Sequence, residues 1–137
     1  MAFRRVERRR RAAERYIARH ADELWQAELA ARAKEAERRE ARRPYCGVLE
    51  CVIERQALEL LSADGFEVTK VGRHGWPDQV VVVGDRTLWL EFKKIDGGHI
   101  TPAQRRVIPR LRKAGAVVLV RPTPEEALEA ARRMRAE

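Results

Sequence analysis

The sequence has few of the residues that hold together small secreted or zinc-stapled domains. Its 137 residues include two cysteines, three histidines and eight aromatic side chains. Cys46 and Cys51 have no partner pair at zinc-ligand spacing, so we expect reduced thiols. There is no apolar run of about 18 residues for a membrane span, and the arginine-rich start lacks the apolar stretch of a signal peptide. These absences predict a cytoplasmic protein that does not enter membranes.

Positive charge is what the sequence has in excess. Lysine and arginine number 29 against 21 aspartates and glutamates, a net charge of +8. The excess is uneven, because residues 1–44 hold 14 basic and 8 acidic side chains whereas residues 45–137 hold 15 and 13. Such a surplus predicts a polyanionic partner, nucleic acid first.

The N-terminal segment is predicted to be one long charged helix. Residues 3–43 contain no glycine or proline and are rich in alanine, arginine and glutamate, so the helix should end near Pro44. A solvated helix without a partner is one interpretation, and a helix that packs on nucleic acid or a second subunit is the other. The second rests on a weak heptad-like stripe, which comprises Val6, Ala13, Ile17, Leu24, Ala27 and Ala31. We therefore divide the chain into a basic helical extension, 1–44, and a domain, 45–137.

Residues 45–137 predict alternating helices and strands. The expected order is helix, strand, strand, strand, helix, strand, helix, with elements at 47–63, 66–71, 79–84, 86–94, from 101, 116–120 and from 123. A helical crossover between strands implies an α/β fold with a mixed central sheet flanked by helices.

Local patterns within these elements add detail. The first helix should bury one apolar face, formed by Leu49, Val52, Ile53, Ala57 and Leu60. The run "QVVVVG" is typical of a strand covered on both faces. "TPAQ" at 101–104 predicts a capping box, and Pro109 should bend or break the helix that follows it.

Two acids and a lysine stand at the ends of the predicted hairpin. A tight turn at Gly84 brings Asp78 and Glu91 to the same end of the sheet, and alternation places Lys93 on the face of Glu91. Two neighbouring carboxylates repel unless a cation lies between them, and oxygen ligands suit Mg²⁺ or Mn²⁺. A lysine beside such an ion can contact a scissile phosphate or the attacking water. The group therefore predicts metal-assisted phosphodiester hydrolysis.

Each of these residues also has an ordinary structural explanation. Asp78 after Pro77 could be a turn residue, and Glu91 with Lys93 could be a surface ion pair. Gln104 suits a capping box without any catalytic role. The histidines at 74 and 99 are loop residues or phosphate contacts rather than ligands.

Taken together, the motifs resemble a known nuclease family. "GWPD", twelve residues, "EFK", then "ITPAQ" and "GAVVLV" are similar to the VRR-NUC domain of the PD-(D/E)xK nuclease superfamily, especially its small stand-alone phage versions. The likeness covers about residues 48–122. It implies a restriction-endonuclease-like core. If the protein is encoded by a phage, its expected location is the cytoplasm of the host cell.

The resemblance also implies a role for each site residue. Asp78, Glu91 and the backbone carbonyl of Phe92 would be metal ligands, Lys93 the catalytic lysine, and Gln104 the glutamine near it.

A further acid on the first helix would reach the metal through water. "ECVIE" at 50–54 offers Glu50, with Glu54 where the family has glutamine. Helical geometry favours Glu50, because it borders the apolar stripe that faces the sheet.

The function expected from the resemblance is a divalent-metal-dependent DNA endonuclease that uses Mg²⁺ or Mn²⁺. Branched DNA is the expected substrate, with four-way Holliday junctions first. Because a junction is a two-fold object, a homodimer with two active sites suits it. The alternatives are a phage DNA-processing nuclease without branch preference and a non-catalytic nucleic-acid-binding protein.

Overall fold

The computed structural model describes the backbone of residues 2–137, with side chains from residue 5 onward. The chain divides into two compact units, residues 2–41 and Arg42–Glu137. Within the described part of the chain, no helix combines the length and apolar character needed to cross a bilayer.

The N-terminal unit consists of α1, Ala2–Arg19, and most of α2, Ala21–Arg42, instead of the single uninterrupted helix that was expected. The interruption at His20 is local, because its N–H still donates to Tyr16 and its carbonyl accepts from Leu24. No residue of α2 is buried. The large exposed apolar side chains of this unit are Val6, Tyr16, Ile17, Leu24, Trp25 and Leu29.

The second unit has the predicted order of elements. After a 3₁₀ turn, Arg43–Tyr45, it contains α3 Glu50–Ala63, β1 Glu67–Lys70, β2 Gln79–Val83, β3 Arg86–Glu91, α4 Pro102–Lys113, β4 Val117–Val120 and α5 Pro124–Ala136. The strands form one sheet in the order β1-β2-β3-β4. Neighbours are antiparallel except β3 and β4, which are parallel. The mixed α/β sheet flanked by helices is confirmed.

The main core lies on the sheet face that α3 and α5 cover. The α3 residues that reach it are Ile53, Ala57 and Leu61, spaced four apart along one side of the helix. The expectation that Leu49 and Leu60 also face the core is wrong, since they are 57% and 36% exposed. Leu49 precedes the first helical residue as the N-cap, so the helical period does not govern its direction.

The opposite face of the sheet is only partly covered. The expectation that both faces of β2 are buried is wrong, because Val81 and Val83 are buried whereas Val82 is 43% exposed. Helix α4 packs beside β4. The face shared by Val80 and Val82 therefore remains partly open to solvent.

Helix α4 begins as predicted, with a capping box between Thr101 and Gln104. The expected break at Pro109 does not occur, since the helix continues to Lys113. Pro109 is exposed, so its missing N–H leaves a carbonyl in the preceding turn that water can reach.

Candidate active site at the end of the hairpin

The two-residue turn between β2 and β3 sets which acids meet. Val83 pairs with Arg86 across the turn, and the same register pairs Gln79 with Leu90. Continued by one residue, this register sets Asp78 opposite Glu91, and the charge of Asp78 acts on Glu91. Residues directly opposite in an antiparallel pair point to the same face, with Cβ atoms about 4.5–5.5 Å apart. The hairpin therefore places both carboxylates on one face at its open end.

Asp78 is half-buried and fixed to the backbone just beyond the end of β3. The N–H of Phe92 donates to its Oδ2 at 3.0 Å, and the Asp78 carbonyl accepts from Val71 at 2.8 Å. Burial raises the pKa of Asp78, and the charge of Glu54 raises it further. The hydrogen bond from the Phe92 N–H and the charge of Lys93 lower it, but by less. The carboxylate is thus held in position where its charged form is disfavoured.

Glu91 is fully buried, with one oxygen bound twice and the other unbound. Its Oε1 accepts from the Gln104 amide at 2.6 Å and lies 2.9 Å from Nζ of Lys93. Its Oε2 is buried without a hydrogen-bond partner among the described residues. Burial raises the pKa of Glu91, and the charge of Asp78 raises it further. Such an oxygen is costly to leave unsatisfied.

Lys93 is the cation that the structure brings to this pair. Burial alone lowers the pKa of Lys93, but the hydrogen bond and charge of Glu91, with smaller effects of Glu50 and Asp78, outweigh it, so the pKa lies above its ordinary value. The ammonium group therefore stays charged at neutral pH. Lys93 therefore pairs directly with Glu91, and it acts on Asp78 through its charge, as Lys70 also does.

Glu50 and Glu54 of α3 both lie near the site. Glu50 acts electrostatically on Lys93, and Glu54 acts on Asp78. Glu54 also accepts a 2.7 Å hydrogen bond from the Gln79 amide. The structure brings both acids to the end of the sheet, and the preference for Glu50 stays a prediction.

Two glycines allow the surrounding loops to pack closely. Gly75 has φ +80°, and a Cβ there would meet the Ala103 Cβ at 2.9 Å. A Cβ at Gly98 would lie 2.5 Å from the Lys93 Cβ. Any larger residue at Gly98 would displace the backbone that carries Lys93. The absence of a side chain thus lets the "GWPD" loop approach α4 and lets the Gly98 segment approach Lys93.

Sequence reasoning missed two residues at this end of the sheet. Gln79 is a buried polar residue ahead of a valine run, a signal that could have identified it. No sequence pattern identifies Arg121. Its φ is +56°, and its backbone N–H donates to the Glu91 carbonyl at 2.9 Å. Its side-chain Nε is buried without a partner among the described residues. A left-handed conformation at a non-glycine residue costs roughly 1–3 kcal/mol. Arg42, which donates to the Arg121 carbonyl at 3.1 Å, helps to hold it.

The donor set fits a hard divalent cation. Within the described residues, no three His, Cys, Asp or Glu side chains form a group of metal-binding geometry. Two carboxylates remain, one with an unsatisfied buried oxygen, and Phe92 lies on the segment that contacts Asp78. Mg²⁺ usually takes one or two carboxylates and fills its other positions with water and substrate phosphate. The carboxylate pair has the donor chemistry that Mg²⁺ accepts, and it lacks the nitrogen or sulphur ligands that zinc prefers.

No protein-family model matches this chain, and no curated protein matches it either. The likeness to the VRR-NUC domain rests on the motifs themselves.

Proposed function

We propose that this protein is a divalent-metal-dependent DNA endonuclease of the restriction-endonuclease-like type, as the resemblance to the VRR-NUC domain implies. The observation that carries the proposal is the proximity of Asp78 and Glu91 just beyond the last pair of the hairpin, where the charge of Asp78 acts on Glu91 and a buried Glu91 oxygen has no protein partner among the described residues. A purely structural ion pair does not explain it, because Lys93 binds the other oxygen of Glu91.

Each residue has a distinct task in this proposal. Asp78 and Glu91 would hold a Mg²⁺ or Mn²⁺ ion together with the Phe92 carbonyl, and Glu50 would contact it through water. When bound, the ion supplies positive charge that neutralises the phosphate and acidifies water. Gln104 orients Glu91 through its 2.6 Å hydrogen bond.

Lys93 provides the second positive charge. Its raised pKa keeps it protonated at neutral pH, so it acts as a donor to a non-bridging phosphate oxygen or to the attacking water.

The substrate in this proposal is branched DNA, with four-way Holliday junctions first, cut by a homodimer that presents two sites. The arginines of residues 5–19 support backbone contacts, since they contribute much of the net charge of +8. Such contacts give salt-dependent affinity without reading bases.

The experiment measures cleavage of labelled linear, flap and four-way DNA during a Mg²⁺ titration. Asp78→Ala and Glu91→Ala should each slow cleavage by about 100-fold or more, because charge stabilisation in the transition state is lost. Asp85→Ala is the matched control, since this acid is exposed in the turn of the same hairpin. It should cut as the parent does.

The outcomes separate three functions. Cutting the four-way substrate no faster than the linear one would leave a nuclease without branch preference. Binding without Mg²⁺-dependent cleavage would leave a non-catalytic nucleic-acid-binding protein. Cleavage that survives both alanine variants would place the active site elsewhere or reveal a contaminant.

A further inference from the structure

A chain of side chains in mutual contact, Arg73, Trp76 and Trp89, lies on the same sheet face as the two carboxylates. The guanidinium of Arg73 lies 4.7 Å from the ring centroid of Trp76, and the ring of Trp76 lies 5.4 Å from that of Trp89 at an angle of 55°. Trp89 precedes Glu91 by two residues in β3, and Trp76 precedes Asp78 by two in the loop. By alternation Trp89 and Glu91 share a face, about 7 Å apart along the strand.

The conformation of this group is fixed by backbone and side-chain bonds. The Trp76 N–H donates to the Arg73 carbonyl at 3.1 Å, which closes the turn that carries both side chains. The indole N–H of Trp89 donates to the Thr87 hydroxyl at 3.0 Å. The rings are therefore held in place before any ligand arrives.

This surface is open to solvent. Trp76 and Trp89 are partly exposed, as is Val80, which pairs with Trp89 in the sheet. Val82 is 43% exposed on the same face. The flanking side chains Arg73 and His74 are exposed, and Arg73 is a permanent cation. Two aromatic rings bordered by an arginine, each two residues from one of the carboxylates, suit a base attached to a phosphate backbone.

We propose that Arg73, Trp76 and Trp89 form a stacking platform for an unpaired nucleobase next to the scissile phosphate. The proposal rests on the nuclease function above and specifies its substrate. Bases within a duplex already stack on both neighbours, so the platform selects DNA that offers an unstacked base at a branch, flap or single-stranded segment.

Tryptophan emission tests the proposal directly. The chain has three tryptophans, so in a Trp25→Phe background all emission comes from Trp76 and Trp89. Without divalent ions, oligothymidine should quench this emission saturably, and a blunt duplex of the same length should quench it far less. The oligothymidine also carries fluorescein, so that anisotropy gives its affinity independently.

Variants separate stacking from a merely structural role. In the same background, Trp76→Ala should weaken oligothymidine binding by about 10-fold or more, and Trp76→Phe should restore most of it. Circular dichroism confirms that each variant is folded. Absence of quenching in the Trp25→Phe protein, or unchanged affinity in Trp76→Ala, would overturn the platform.

The platform and the nuclease can fail separately. Asp78→Asn in the Trp25→Phe background should keep the quenching, because it leaves the rings intact. Quenching without any Mg²⁺-dependent cleavage by the parent would support the platform and contradict the enzyme. Mg²⁺-dependent cleavage without quenching would contradict the platform and leave the enzyme in place.

Discussion

Two sets of acids in the Arg42–Glu137 unit have opposite environments. Asp64 accepts from Arg132 and Arg135 at 2.7 Å each, and the hydrogen bond from Arg132 is the main reason that its pKa falls to about 2. Glu126 receives two hydrogen bonds from Arg42, at 2.9 and 3.0 Å. At Asp78 and Glu91, burial raises the pKa instead.

The difference shows that the shortage of positive charge at the hairpin is local. The sequence holds 29 lysines and arginines, and it places two arginines on Asp64. At the hairpin Lys93 forms a salt bridge with Glu91, whereas Asp78 senses the charges of Lys93 and Lys70 without a salt bridge among the described residues. Buried carboxylates with raised pKa values and an unsatisfied oxygen are typical of functional sites, where they lower stability until a ligand binds.

The largest effect that separates the two sets should come from a divalent cation. Ca²⁺ or Mg²⁺ should raise the unfolding temperature of the parent. At an ion concentration 100 times the dissociation constant, the free energy of unfolding should increase by about 2.7 kcal/mol. Asp64→Asn should keep this increase, and Asp78→Asn should lose most of it. Differential scanning calorimetry with and without the ion measures the shift. An equal increase in both variants would mean that the ion binds elsewhere.

Neutral variants should sharpen the contrast in the absence of metal. Asp78→Asn keeps an acceptor for the Phe92 N–H but removes the disfavoured charge, so its unfolding midpoint should rise slightly. Glu126→Gln weakens the paired Arg42 contact and should cost about 1–3 kcal/mol. Urea unfolding at neutral pH measures both. A loss of stability in Asp78→Asn would show that its charge is compensated in the free protein.

The smallest effect is a difference in the sign of the pH dependence. The low pKa of Asp64 gives stability that is present above its ordinary value of 3.8 and is lost as the pH falls through about 2. The raised pKa of Asp78 gives stability that is present below 3.8 and is lost as the pH rises through the raised value. As the pH falls, the parent should therefore lose stability relative to Asp64→Asn. Over the same range it should gain stability relative to Asp78→Asn. Urea unfolding of each pair across acidic pH measures these differences, and parallel curves would contradict the assignment.

Local patterns predicted the parts of the molecule that depend on short-range geometry. The two-residue turn and strand alternation put Asp78, Glu91 and Lys93 together, and the Thr101 capping box followed from adjacent residues. These features need no knowledge of distant contacts, so the sequence is sufficient for them.

Features that depend on packing between distant segments could not be predicted in this way. The hydrogen bond from Gln79 to Glu54 joins β2 to α3, and the close approach of Gly75 to Ala103 joins a loop to α4. The exposure of one face of β2 also depends on distant packing, because α4 packs against β4. The position of α4, rather than the valine run, decides how far β2 is buried.

The length of the β2–β3 turn has a consequence for how this site can change over time. Inserting or deleting one residue at Gly84 would shift the pairing of the two strands by one residue, so that a neighbour of Glu91 would stand opposite Asp78 and Glu91 itself would point to the other face of the sheet. Substitutions within the turn are tolerable, whereas a change in its length would separate the acids. Among descendants of this chain, hairpin spacing should therefore vary less than the identity of the turn residues.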